Sequence, residues 1–263
     1  RPALRESLLS GMRSAIAAGQ PATARAQAAG LLWELDPSPD EARAARLVVI
    51  DSYLAEQQGA AAFRAMLRFD QDYRPLDRAI AGHFVSSLLD LGLHREAVNW
   101  LAALDDAGAL KLRLRLHAGL VKPDAAIARA RARAGKGGGA EWWHVLADAA
   151  EKTGDGTLAV EAHERLINVG EVVPGLWDVY DREARAAANQ YRLLTGDDAA
   201  WLEYARRPSV RAARSRALLA YLSRHAAGRE IRLRAQMHHV SSLQQAGMDR
   251  AALHVYERYL KNG

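Results

Sequence analysis

Nine histidines and no cysteine leave imidazole and carboxylate as the metal-binding chemistry this chain can offer, and exclude disulfides, thiolate catalysis and iron–sulfur clusters. His238 and His239, with His254 beyond a turn expected at Gly247, form the most suggestive grouping. Adjacent residues on a helix point about 100° apart, so one imidazole should face inward and the other outward, and no metal is expected. Glu161-Ala162-His163-Glu164 lacks the second His of a zinc-protease helix, and Gly135-Lys136 lacks both the upstream Gly and the following Ser or Thr of a phosphate-binding loop. Asp105-Asp106 and Asp197-Asp198 fall beside expected helix ends, where capping accounts for them. Asp148 and Glu151 are spaced to face one groove as an acid–base pair, but nothing nearby in the sequence would raise either pKa. No cofactor and no enzymatic activity are expected.

Charge is the sharpest remaining signal. The net charge is +5, and all but five of the 36 basic residues are Arg. From Glu203 to Arg234 many arginines face only Glu203 and Glu230, and Arg207, Arg211 and Arg214 are spaced by four and three, as on one helix face. These three are the candidate anion-docking residues. Tyr204 and Tyr221 are the only aromatics in the stretch, which disfavours nucleic acid, whose single-stranded binders interleave bases with stacking rings.

The elements that would position these residues read as helices. Gly19, Gly59, Gly92, Gly119, Gly154, Gly196 and Gly247 recur irregularly between apolar-periodic segments, at places where a helix can end in a left-handed residue. Pro21, Pro123 and Pro208 suit first turns, Asp155 and Asp197 suit caps, and Pro37-Ser38-Pro39-Asp40-Glu41 reads as a stop and a fresh start. The alternation of Leu with Lys and Arg from Leu110 to His117, and of Ala with Arg from Ala128 to Ala134, has the period of a strand. Its residues are strong helix formers, so two helices are expected there, with a β-hairpin as the alternative. Residues 135–139 form a Gly-rich linker dividing residues 1–134 from residues 140–263. No apolar run approaches the length of a membrane span, so a soluble protein is expected. The start, Arg1-Pro2-Ala3-Leu4, has neither an initiator Met nor the plan of a signal peptide and reads as part of a larger bacterial protein. Localisation stays open between periplasm and cytoplasm, the lack of Cys favouring the periplasm.

Trp143, Leu146, Gly154 and Ala159 stand at the spacing of a tetratricopeptide repeat, with His163 where that pattern has a large aromatic. Gly19 with Ala24 and Ala28, Gly92 with Ala97 and Leu101, and Gly247 with Ala252 and Tyr256 repeat its second half. The chain thus resembles the tetratricopeptide-repeat superfamily. The resemblance also extends to the superhelical domain of soluble lytic transglycosylases, although no lysozyme-like catalytic segment is present. It implies an all-α, right-handed superhelical array of antiparallel helical hairpins whose concave surface is lined by first helices. On this chain the family's groove positions fall at Glu141, His144, Asp148 and Glu151, and again at Arg234, Met237, Ser241 and Gln244. The two-carboxylate clamp of chaperone-binding members needs Lys and Asn where His144 and Asp148 stand, which disfavours a chaperone-tail receptor. Trp143 fills the family's packing slot, leaving Trp142 to a neighbouring hairpin or a ligand, while Trp177, Tyr180, Tyr191 and Trp201 read as inner faces.

The expected function is a non-catalytic protein–protein interaction scaffold that takes a protein or peptide partner. The alternatives are a binding module for an anionic polymer through the Arg-rich segment, and the superhelical arm of a cell-envelope enzyme or polysaccharide exporter.

Overall fold

Helix starts in the computed structural model follow their local caps. Ser38 accepts from the Glu41 amide at 3.3 Å while the Glu41 carboxylate accepts from the Ser38 amide at 2.7 Å, a capping box that opens helix α3 (Pro39–Ala55). Pro21 and Pro123 open α2 (Pro21–Glu34) and α8 (Pro123–Ala134), where a missing N–H costs nothing. Asp155 and Asp197 each accept an amide three residues on, at 3.0 Å, and cap α10 (Gly156–Asn168) and α12 (Asp198–Ala205). The structure describes residues 2–135, 137, 139–191 and 197–262; the expected turn at Gly196 lies outside them. The protein is 79% helical, with no strand among the described residues, and none of its described helices is long and apolar enough to cross a membrane.

Contacts divide the chain into two units, residues 1–118 and 119–263. The first holds α1 (Pro2–Ala17), α2, α3, α4 (Gly59–Asp72), α5 (Arg78–Asp90), the short α6 (His94–Ala97) running into a 3-10 segment at Val98–Ala103, and α7 (Ala109–His117). The second holds α8, α9 (Ala140–Thr153), α10, α11 (Leu176–Tyr191), α12, α13 (Ala212–His225), α14 (Arg229–Gln245) and α15 (Asp249–Asn262). Residues 135–139 fall inside the second unit, between α8 and α9, which pack on each other; positions 136 and 138 lie outside the described residues.

Neighbouring helices pack in adjacent pairs, with α1 on α2, α3 on α4, α9 on α10 and α14 on α15. Gly154 ends α9 at φ +72°, a left-handed conformation that glycine reaches without steric penalty. Gly59 departs from that role. The left-handed residue before α4 is Gln57, at φ +55°, and Gly59 is the first residue of the helix. A Cβ there would stand 2.6 Å from Cδ1 at the end of the Leu93 side chain, which would have to shift. Pro208 departs too: it lies in the turn after α12, and α13 begins at Ala212. The alternating segments are both helical, α7 burying Leu112, Leu114 and Leu116 while Lys111 and Arg113 pair with Asp106 and Asp90.

The first unit packs Met66, Phe69, Phe84 and Trp100 as one cluster, the Phe84 and Trp100 rings edge-to-face at 5.3 Å. A second cluster joins Met12 of α1 to Ala24, Ala28 and Leu31 of α2. In the second unit Trp201, Leu202, Leu218 and Leu222 close α12 on α13. Trp177 and Tyr180 are buried as expected, while the Tyr191 side chain lies outside the described residues.

Candidate functional site

Helix α2 carries two apolar stripes. Ala24, Ala28 and Leu31 are fully buried, while Arg25, Ala29, Leu32 and Trp33 line a groove of about 680 Å³ that spans α2, α3 and α4, Leu32 also packing against the buried cluster. Trp33 is 83% exposed, the most exposed aromatic among the large hydrophobics of the described residues. Val49 and Tyr53 of α3 and Phe69 of α4 supply further apolar lining.

Arginines rim this groove, and no carboxylate lines it. Arg25 is held by Glu56 at 2.9 Å and lies 4.8 Å over the Tyr53 ring, and Arg46 pairs with Asp72. Arg64 and Arg68, one turn apart on the exposed side of α4, have no ion pair among the described residues. Their positive charge is therefore uncompensated, beside a bulky apolar surface left in water. Sequence reasoning missed this site, although a signal was present. Residues two positions apart on a helix point about 200° apart, so Trp33 cannot share the buried face of Leu31.

In the second unit a chain of buried polar groups ties five helices together. Arg216 of α13 donates Nε–H and a terminal N–H to the two carboxylate oxygens of Glu164 on α10, at 2.7 and 2.6 Å. The Tyr180 hydroxyl of α11 donates to Glu164 at 3.0 Å. Having spent its one proton, that hydroxyl must accept from His239 Nε2–H of α14, at 3.2 Å. His239 Nδ1 is then bare and accepts from the Tyr259 hydroxyl of α15 at 2.7 Å, and Ser223 Oγ stands 3.1 Å from that hydroxyl. Trp177 packs edge-on against Tyr180, His239 and Tyr259.

The electrostatics follow from burial. Burial and the charges of Arg216 and Arg224 push His239 down to about 3, so it is neutral at physiological pH. Burial, then the charge and hydrogen bond of Glu164, hold Tyr180 far above the ordinary phenol value. Burial works against the Arg216 charge, but the hydrogen bonds and charge of Glu164 outweigh it, and Arg216 stays ionised. With both ring nitrogens engaged, His239 has no lone pair to offer a metal. Its neighbour His238 is half-buried and His254 is exposed.

The arginine segment behaves differently from a helix face. Arg207 lies in the turn after α12 beside the Tyr204 ring, Arg211 is the N-cap of α13, and Arg214 sits in the first turn of α13. Arg214 is bound to the buried Glu183 at 2.6 Å, and Arg224 pairs with Asp181. Carboxylates 31, 52 and 43 residues away in sequence thus neutralise Arg214, Arg216 and Arg224. Of the expected docking trio, Arg207 and Arg211 are exposed and Arg214 is engaged in packing.

Of the expected groove residues, Glu141, His144, Asp148 and Glu151 run along the exposed and half-buried side of α9, with His144 4.0 Å from Glu171 and Glu151 3.3 Å from Arg182. Arg234, Met237, Ser241 and Gln244 lie along the solvent side of α14, Met237 being 72% exposed. Helix α9 packs on α8 and α10, whereas α14 packs on α12, α13 and α15, so the two sets belong to different neighbourhoods. Trp142 and Trp143 are both half-buried, with Arg133 6.0 Å over the first ring and Arg165 5.8 Å over the second.

No protein-family model matches the chain, and neither a curated protein nor a solved structure matches it.

Proposed function

We propose that the chain is a non-catalytic protein-interaction scaffold, built of tetratricopeptide-like hairpins, that grips an acidic partner segment in the groove across α2, α3 and α4. The supporting observation is Trp33: a large ring left in water above a groove of about 680 Å³ with apolar lining and an arginine rim. Exposed tryptophans and arginines are the residue types that dominate binding energy at protein interfaces. The groove is lined by α2 and α4, the second helices of two successive hairpins, and by α3 between them, unlike the first-helix surface of the tetratricopeptide family. With Arg25 and Arg46 already neutralised, Arg64 and Arg68 provide a local excess of two charges, enough to select acidic side chains beside an apolar anchor. Tracking a polyphosphate backbone would need a longer row of free cations.

Selection of a displayed random-peptide library on the full chain tests the reading. Enriched peptides should carry Asp or Glu near a Leu, Phe or Trp, and should lose about 30-fold or more in affinity for Trp33→Ala, the loss typical of an interface hot spot. Arg64→Glu with Arg68→Glu should shift selection away from acidic sequences. Peptides that bind wild type and Trp33→Ala equally would overturn the groove assignment. Steeply salt-dependent binding of single-stranded RNA, lost in the same variants, would replace the protein partner by a nucleic acid. An anionic polymer held by Arg207, Arg211 and Arg214 is the weaker proposal, because Arg214 is engaged with Glu183.

A further inference from the structure

Beside the Arg216–Glu164 pair the second unit opens a cleft of about 440 Å³ between α8, α10, α13 and the turn joining α14 to α15. Arg131 of α8, Arg165 of α10 and Arg211 before α13 line it together with Arg216. The first three have no ion-pair partner among the described residues, and Arg165 Nε is buried without an acceptor. Asp155 and Glu161 also line the cleft, and one oxygen of Asp155 is already taken by the Leu158 amide.

We propose that this cleft binds a phosphomonoester carried by a small hydroxylated molecule, such as a sugar phosphate. A carboxylate can take one bidentate arginine, as Glu164 takes Arg216 beside the Tyr180 hydroxyl. A phosphomonoester presents three strong acceptor oxygens and a charge of about −1.5 to −2 at neutral pH, which suits a cleft lined by three guanidinium groups, from three segments, that have no ion pair among the described residues, in excess over Asp155 and Glu161. The cleft is much larger than a phosphate group. Around the rest of its lining Asp155 and Glu161 are acceptors, suited to the hydroxyl donors of a polyol and ill suited to a second anionic group. This site shares no residue with the groove of the first unit and stands or falls independently of the docking function.

Calorimetric titration of the full chain at fixed ionic strength tests it. The probes are glucose 6-phosphate, ribose 5-phosphate and glycerol 3-phosphate, their phosphate-free parents, inorganic phosphate, and a phosphoserine peptide. At least one of the three organic phosphates should bind ten times more tightly than inorganic phosphate, its own parent or the peptide. Arg131→Gln and Arg165→Gln should each weaken that binding about tenfold, the effect of one charge-assisted hydrogen bond. Arg131→Glu should abolish it, and because Arg131 is exposed the variant should keep the wild-type melting curve. The assignment is overturned if no organic phosphate exceeds inorganic phosphate, if the peptide binds more tightly than all three, or if the arginine variants bind as wild type does.

Discussion

Acidification from pH 7 to pH 5 should remove a stabilising contribution that His239 makes to the second unit. Its imidazole is neutral and held at both nitrogens in the folded protein, where its pKa is about 3 because charging it would cost the burial penalty and bring it against Arg216 and Arg224. In the unfolded chain an imidazole titrates near about 6.5. Below that value the unfolded state takes up a proton that the folded state refuses. The stabilisation is therefore complete above about pH 6.5, falls with pH at about 1.4 kcal/mol per unit, and levels out near the folded pKa. Between pH 7 and pH 5 the loss is about 2 kcal/mol, or roughly 6–8 °C in Tm for a unit of this size. His238, lowered by burial and by Arg206 and Arg234, acts in the same direction, while Glu164, raised by burial, and His83 of the first unit, raised by its bond to Asp51, act oppositely. Urea unfolding followed by circular dichroism at the two pH values, on wild type and His239→Gln, isolates the residue. The variant should be less stable at pH 7, yet its loss between pH 7 and pH 5 should be smaller than that of wild type by about 2 kcal/mol. Equal losses in the two proteins would refute the assignment of a neutral, buried His239.

Glu164→Gln should cost about 3–5 kcal/mol by leaving the Arg216 charge buried and unpaired, whereas Glu164→Leu combined with Arg216→Met should recover much of that loss; a double-mutant cycle in urea measures both. Gly154→Ala should cost about 1–2 kcal/mol through the backbone alone, since φ is +72° and an added Cβ meets nothing within 4 Å, and thermal unfolding measures it. Trp33→Ala should leave the melting temperature of the chain unchanged while removing peptide binding, because a ring 83% exposed contributes little to the core.

Some of the protein was legible in its residues because the interactions concerned reach only one turn of helix. The Ser38–Glu41 box, the Asp155 and Asp197 caps, the first-turn prolines at Pro21 and Pro123 and the left-handed Gly154 all involve atoms within a few residues of one another, and all stand where the sequence places them. Helix propensity likewise outweighed the period-two pattern at 110–117 and 128–134, since Ala, Leu and Arg keep their preference whatever packs on them. Gly59 was misjudged because the left-handed turn before α4 falls on Gln57, while the side chain that meets Gly59, Leu93, is more than thirty positions away.

What the arginines do could be decided only by the tertiary structure. Arg131, Arg211, Arg214 and Arg216 are equivalent as residues, yet Arg216 is sealed against Glu164, Arg214 is bound to Glu183, and Arg131 and Arg211 are left to line a cleft. The difference lies in whether a carboxylate from another helix arrives within hydrogen-bonding distance, and no local pattern encodes that. The same holds for Trp33, whose ring stays in water because α2 has already committed its opposite stripe to the core, and for His239, whose charge is set by the low-polarity packing of five helices around it. Local sequence chose the helices and their ends; burial and charge pairing between distant segments chose which side chains are structural and which remain free to bind.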